Sequence, residues 1–174
     1  MIGIVDYNNI SYKIGDKMIR VLFVCLGNIC RSPMAEAIFR DMVSKENLAD
    51  KIIVDSGGLG EWHIGKAPHQ GTKDVLDSKN ISYKGMVARQ VNVNDFEDFD
   101  YIISMDDQNM KGLRNLGDAN NQEVTIGKLM DFVKNPKEKN VPDPYFTGDF
   151  DYTYELVSEG CTQLLNHIKM EHSL

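Results

Sequence analysis

An α/β protein, built on a small doubly wound sheet of about four parallel strands with helices on both faces, is the fold class that the sequence predicts. Three observations predict it. From Ile19 onward, short β-branched or aromatic runs alternate with longer stretches of helical period, the pattern of βα units around a parallel sheet. The first of those runs, Ile19 to Cys25, is apolar at nearly every position rather than every second one, as a strand covered on both faces requires. And 174 residues, 42% of them hydrophobic, suffice for one domain around one core, with no repeat, low-complexity tract or Pro/Gly/Ser-rich linker to divide them.

In chain order, residues 1–17 stand apart. They contain Ile2, Ile4, Val5, Ile10 and Ile14 but no sustained period, and they end at a second methionine, Met18, that opens the first strand. Gly15-Asp16-Lys17 could be encoded by GGA-GAT-AAA, which reads as a ribosome-binding sequence ahead of a start at Met18. The domain is therefore expected to be 18–174, with 1–17 an N-terminal extension or a short arm packed on it. After the strand at 19–25, Ser32 offers an N-cap hydroxyl and Pro33 a first helical residue, with Met34, Ile38 and Met42 following at helical spacing. Lys51 to Asp55 reads as a second strand, and Thr72, Val75, Leu76 and Lys79 as a helix ending near Asn80. Tyr101 to Met105 is a third strand, Asp107 to Leu116 a helix stopped by Gly117, and Val124 to Ile126 a short fourth strand. Val157, Cys161, Leu164, Leu165 and Ile168 form one apolar stripe of a C-terminal helix, where Cys161 is a packing residue. These elements suit a three-layer, flavodoxin-like or Rossmann-like sheet, whose ligand site lies beyond the carboxyl ends of the strands.

Composition excludes several functions. With 26% charged residues and no apolar run longer than the six from Val21 to Leu26, neither a membrane span nor a secretory signal core is present in the sequence, and a cytoplasmic protein that meets no membrane is expected. A balance of 19 basic against 26 acidic residues, net −7, argues against a nucleic-acid partner. Three cysteines do not make a disulfide scaffold and read as thiols of a reducing compartment. His63, His69, His167 and His172 have no metal-ligand spacing, so neither a metal nor another cofactor is expected.

One segment concentrates the chemistry. Cys25-Leu26-Gly27-Asn28-Ile29-Cys30-Arg31-Ser32 joins the strongest strand to the best-marked helix. Gly27 and Asn28 tolerate left-handed backbone, so the loop can curl until its N–H groups converge on an oxyanion. The helix N-terminus adds partial positive charge, and Arg31 a planar fork matched to two phosphate oxygens. An arginine at a helix start opposes the dipole, which favours a bound anion as its reason for being there. Such surroundings favour a thiolate over a thiol, which makes Cys25 a nucleophile aimed at phosphorus and leads to a phosphocysteine intermediate. The leaving oxygen needs a proton. Asp143, between Pro142 and Pro144 in Val141-Pro142-Asp143-Pro144-Tyr145-Phe146, is a carboxylate on a stiff loop and the candidate general acid, able afterwards to activate water as a base.

The six fixed positions of C-x-G-N-x-C-R-S, together with the downstream D-P-Y at Asp143 to Tyr145, closely resemble the low-molecular-weight protein tyrosine phosphatases, over a span from about Met18 to the final helix. The resemblance implies hydrolysis of protein phosphotyrosine with Cys25 as nucleophile, Arg31 as transition-state clamp, Asp143 as general acid and Ser32 as hydroxyl donor to the thiolate. It implies that Asn28, with Ser56, fixes the loop, and that the substrate ring lies between Leu26, Ile29, Trp62 and Tyr145. Cys30 is similar to a second loop cysteine that can form a reversible disulfide with the nucleophile. Phosphotyrosine-containing proteins are the implied partners and phosphate or vanadate the implied site ligands, with a monomer or weak self-association expected. Two positions depart from the family pattern. Met86 precedes Val87-Ala88-Arg89-Gln90 where some members carry a histidine that supports the loop, and Phe146 follows Tyr145 where some carry a second tyrosine.

Three rival functions can be weighed. A protein arginine phosphatase shares the loop but resembles C-x-G-N-T-C-R-S, whereas Ile29 is apolar and favours an aryl phosphate. A thiol-coupled arsenate reductase needs further cysteines downstream, and none lies between Cys30 and Cys161. A phosphate-binding module without turnover has no use for Cys25, Arg31 and Asp143 together.

Overall fold

The computed structural model describes residues 17–117 and 123–174; the expected N-terminal arm falls, apart from Lys17, outside the described residues. Four strands, β1 (Ile19–Cys25), β2 (Ile52–Gly58), β3 (Tyr101–Ser104) and β4 (Thr125–Lys128), form one sheet in the order β2-β1-β3-β4, every pair parallel. Among the described residues six helices accompany them: α1 (Arg31–Lys45), α2 (Gln70–Ser78), α3 (Asp95–Asp98), α4 (Asp107–Leu116), α5 (Pro144–Thr147) and α6 (Phe150–His172), with a 3-10 turn at Leu129–Phe132.

The unbroken apolar run of β1 serves two cores at once. Val21, Phe23 and Cys25 point into the larger core with Met34 and Ile38 of α1, Leu76 of α2 and Leu164 and Ile168 of α6. Leu22 and Val24 point the other way, onto Phe96 of α3 and Leu113 of α4. Alternate side chains of one strand thus fill both layers, which is why the run cannot alternate with polar residues. The expected C-terminal stripe is buried as a set, Val157, Cys161, Leu164, Leu165 and Ile168 all lying in the larger core.

Several boundaries differ from the sequence reading, each for a reason. Helix α1 begins at Arg31 with Cys30 at the N-cap position and no side-chain cap, so Ser32 is not the cap and Pro33 is the third helical residue. Proline is tolerated there because the first four helical N–H groups have no intrahelical partner to lose. Strand β2 runs on through Asp55, Ser56 and Gly57 to Gly58 because those residues continue the register with β1 up to Cys25 against Gly58. Strand β4 is Thr125–Lys128 rather than 124–126, set by its pairing with Tyr101–Ser104. Helix α4 stops at Leu116 as expected, but Gly117 is extended (φ −130°); its lack of a side chain leaves room for Phe96, whose ring would lie 2.3 Å from an added Cβ.

The strand order reverses between β1 and β3, so the crevice of the doubly wound sheet opens at their carboxyl ends, where Cys25 and Ser104 finish.

Candidate active site

The loop leaving β1 curls as its composition demands, with one difference: Asn28 alone adopts left-handed backbone (φ 56°), and Gly27 does not. Gly27 instead provides clearance, since an added Cβ would lie 3.1 Å from the His63 ring. Gly58 does the same from the β2 side, where a Cβ would lie 3.0 Å from the Gly27 carbonyl carbon. The strained turn at Asn28 is held by its own side chain. Its Nδ2 donates to Ser32 Oγ (2.8 Å) and Ser56 Oγ (2.9 Å), and its Oδ1 accepts from the Arg89 N–H (3.0 Å). Asn28 and Ser56, which the resemblance pairs as loop support, thus lie in hydrogen-bond contact.

Ser32 Oγ lies 3.0 Å from Cys25 Sγ. Asn28 donates to that oxygen, and the hydroxyl proton lies within reach of the sulfur and of the Gly57 carbonyl (3.4 Å). The chain of bonds continues inward. Ser56 Oγ donates to Glu36 Oε2 (2.5 Å), and Glu36 Oε1 is paired with Arg40 (2.5 Å). Glu36 is buried, and burial holds its carboxyl above the ordinary glutamate range against the pull of Ser56 and Arg40. Met86 is buried in the larger core and its apolar side chain has no N–H or O–H to donate, whereas Ser56 and Glu36 form a polar link to Asn28.

Arg31, at 2% exposure, is fully withdrawn from solvent. Its Nη1 donates to Asp106 Oδ2 (2.6 Å) and the Val141 carbonyl (2.9 Å), and its Nη2 to Asp143 Oδ2 (3.1 Å). Burial works against its charge, but Cys25, Asp106 and Asp143 together keep it a firmer cation than an ordinary arginine. Its Nε is buried with no hydrogen-bond partner among the described residues.

The two carboxylates on Arg31 are each placed by a helix start. Asp106 caps α4, its Oδ1 accepting from the Asn109 N–H (2.7 Å), and Asp143 caps α5, its Oδ1 accepting from the Tyr145 N–H (3.1 Å) with Pro144 as first helical residue. The structure therefore brings Asp143 onto the same guanidinium as the Cys25 loop, across 112 residues of sequence.

A cavity of about 160 Å³ stands over the loop, lined by Cys25, Leu26, Gly27, Ile29, Cys30, Trp62, His63, Asp143, Tyr145 and Phe146. Its size suits a small aryl phosphate rather than a drug-sized ligand. Trp62 (64% exposed) and Tyr145 (57% exposed) rise at its rim, while Ile29 and Cys30 line it and are buried. The Cys30 thiol is pushed up to about 12 by burial first, then by Cys25 and Asp143. Cys161 lies apart under α6, its thiol 3.8 Å from the Ala35 carbonyl and pushed up by complete burial.

Sequence reasoning missed four residues that shape the site. Asp106 had a signal, an acidic residue between a strand end and a helix start. Glu36 had a fainter one, a glutamate among the apolar residues of a helix with Arg40 four positions on. His63, on the cavity wall, and His69, beside Tyr145, had none without the fold. Among the described residues no group of three or more His, Cys, Asp or Glu could hold a metal ion, and no helix is long and apolar enough to cross a membrane.

Comparison with known proteins agrees with this geometry. The sequence model of the family described as low molecular weight phosphotyrosine protein phosphatase matches residues 20–174. The low molecular weight protein-tyrosine-phosphatase YfkJ of Bacillus subtilis is 52% identical over 157 residues, 90% of this chain and 100% of that one. Its crystal structure superposes with a TM-score of 0.86 over 89% of this chain and 97% of that one. PtpA of Staphylococcus haemolyticus, of the same description, is 43% identical over 90% of this chain and 98% of its own. A Drosophila arginine phosphatase is a further structural neighbour, with a TM-score of 0.80 and 35% identity over 87% of this chain and 98% of that one. With the loop, the clamp and the sheet already in place, these matches settle the assignment: the chain is a phosphatase belonging to the low molecular weight phosphotyrosine protein phosphatase family.

Proposed function

We propose that the enzyme hydrolyses phosphotyrosine in proteins through a phosphocysteine on Cys25. The observation that carries this reading is the convergence of Ser32 Oγ, the buried Arg31 guanidinium and the Asp143 carboxyl at a single thiol. Cys25 sulfur attacks phosphorus in line with the aryl oxygen, and the S–P bond forms as the P–O bond breaks. Arg31 and the loop N–H groups hold the equatorial oxygens, and Asp143 gives its proton to the leaving phenoxide. The Asp143 carboxylate then takes a proton from water, the water oxygen attacks phosphorus, and phosphate leaves with the sulfur restored as thiolate. Ser32 serves as the donor that stabilises that sulfur, with Leu26, Ile29, Trp62 and Tyr145 as walls for the ring. Phosphotyrosine is preferred over phosphoserine because the short serine stem does not carry phosphorus down to a sulfur that is only 3% exposed.

The test is turnover of p-nitrophenyl phosphate and of phosphotyrosine peptides, abolished in Cys25→Ser, which should still bind vanadate or phosphate. Undiminished hydrolysis in that variant overturns the nucleophile assignment, and ligand binding without turnover in the parent protein would leave a phosphate-binding module. Phosphoarginine is the second substrate to compare, because an arginine phosphatase is among the structural relatives. Ile29, an apolar residue lining the cavity, favours the aryl ester. A preference for phosphoarginine peptides would change the substrate while keeping the mechanism.

Further parts of the reading follow from the same site. Attack of the Cys25 thiolate on a peroxide O–O bond, which releases water or an alcohol and leaves a sulfenic acid, followed by attack of the Cys30 sulfur with loss of water, would close a reversible disulfide that protects the nucleophile. The enzyme acts in the cytoplasm as a monomer or weak self-associate. Residues 1–17 are an extension that the domain of 18–174 does not include; mass spectrometry of the protein made from its native gene tests whether they are translated, and an intact Met1 peptide would show that they are.

A further inference from the structure

We propose that His69 is a positioning residue for the ring slot: its imidazole holds Tyr145 in place, so that the grip on the aryl part of the substrate, as distinct from its phosphate, depends on His69. The inference rests on the reading of Tyr145 as a slot wall.

His69 makes contacts on three sides. Its backbone N–H donates to the Ile29 carbonyl of the phosphate loop (2.7 Å). Its Nδ1 accepts from the Gly71 N–H (3.0 Å) and so caps α2. Its ring lies stacked on Phe150, the first residue of α6 (5.0 Å between centroids, 15° between planes), and meets the Tyr145 ring edge to face (6.1 Å, 78°). Phe150 is itself wedged over Gly71, where an added Cβ would approach its ring to 2.5 Å. The imidazole is thus fixed from below by a hydrogen bond and from the side by a packed ring.

Tyr145 is held through its backbone N–H by Asp143 Oδ1 (3.1 Å), but the residue is 57% exposed. It sits in α5, a helix of four residues, too short to be stable without tertiary contacts. Its other ring neighbour, Phe146 (5.4 Å, 79°), is 78% exposed and gives it nothing rigid to lean on. The Tyr145 backbone is tied to Asp143, and the His69 edge is the contact that ties its ring to the start of α2. Phosphate recognition follows a different route, through Arg31 and the loop, and needs only the backbone N–H of residue 69.

Substitution can separate the ring from the cap. Asparagine is among the best N-cap residues and keeps the backbone bond, so His69→Asn removes the ring alone. Phenylalanine keeps a ring but has no acceptor, so His69→Phe removes the cap alone. We expect His69→Asn to raise KM for p-nitrophenyl phosphate and a phosphotyrosine peptide roughly two- to ten-fold, the worth of one aromatic pair. The inhibition constant for inorganic phosphate should stay at the parent value. His69→Phe should keep the parent KM and lose melting temperature. Tyr145→Ala is the reference: it should raise the aryl KM at least as much, and adding His69→Asn to it should change nothing further. Unchanged aryl KM in His69→Asn alongside a raised one in Tyr145→Ala overturns the inference and leaves the wall intact. Unchanged KM in Tyr145→Ala overturns the wall itself. Parallel losses for aryl ester and inorganic phosphate in His69→Asn would make the residue a general loop support, which also overturns the inference.

Discussion

Two carboxylates share the Arg31 guanidinium, and their remaining bonds separate their uses. Asp106 spends one oxygen on the Asn109 N–H and the other on Arg31 Nη1 at 2.6 Å. An asparagine there has a single acceptor and can serve the cap or the clamp but not both. Asp106→Asn is therefore expected to lower kcat/KM about 10- to 100-fold, matching the loss of a hydrogen bond to a charged group worth ~1.5–3 kcal/mol. Steady-state kinetics on p-nitrophenyl phosphate would reveal it, and parent-like kinetics would show that Val141 and Asp143 suffice to hold the clamp. Asp143 faces the cavity and is the proton donor of the proposed reaction. Asp143→Ala should cost about 10²–10⁴ in turnover of phenyl phosphate and much less for esters of acidic phenols, whose oxygens leave unaided. A series of phenols of graded acidity measures this, and an equal loss across it would remove the acid role. Asp106 escapes a sequence reading because its partner Arg31 lies 75 residues away, whereas Cys25, Asn28, Arg31 and Ser32 are neighbours whose joint purpose a loop can display.

Helix α1 illustrates how an element can be recognised and its start misread. A serine followed by proline has the look of a cap, yet the Ser32 hydroxyl is occupied by Cys25 and Asn28, and the helix opens at Arg31 with no side-chain cap. The uncapped turn leaves backbone N–H groups at the loop for an anion, so the local rule yields where the site needs donors. Further along the same helix, Glu36 couples α1 to β2 through Ser56, and its raised carboxyl pKa has a consequence for stability. A carboxyl that holds its proton more tightly when folded contributes most at low pH, where both states are protonated. As pH rises through and above the ordinary glutamate range, the unfolded chain loses the proton first, and that contribution is lost up to the raised folded value. Glu36→Gln removes this titration. Parent and variant compared by urea unfolding across acidic pH should diverge over that window, the parent losing ground as pH rises. A difference independent of pH would mean that Glu36 titrates no differently in the folded protein.

At the scale of the molecule, the site is a junction of segments far apart in the chain: the loop after β1, the start of α1, Ser56 and Gly58 of β2, the Arg89 N–H, Asp106 after β3, and Val141 with Asp143. The strands at Ile19–Cys25 and Tyr101–Ser104 were legible as apolar runs, whereas their order, and the reversal between β1 and β3 that places the crevice, appear only in the pairing. The polar links that cross from one segment to another were not legible either, since each is a single bond between residues that no local pattern pairs. Because these links gather around the proposed anion site, ligand binding should stabilise the whole domain and not the loop alone. A ligand that binds only the folded state adds about 2.7 kcal/mol at 100 times its Kd, which for a domain of this size is a rise in Tm of roughly 5–11 °C. Vanadate or phosphate should produce that rise in the parent and in Cys25→Ser, where the clamp is intact. Arg31→Met, with the guanidinium gone and Asp106 and Asp143 left facing the anion, should show no rise, because both carboxylates then repel what the arginine attracted. Thermal scans at matched ionic strength separate this from a general salt effect, and an equal rise in Arg31→Met would place the stabilising anion somewhere other than this junction.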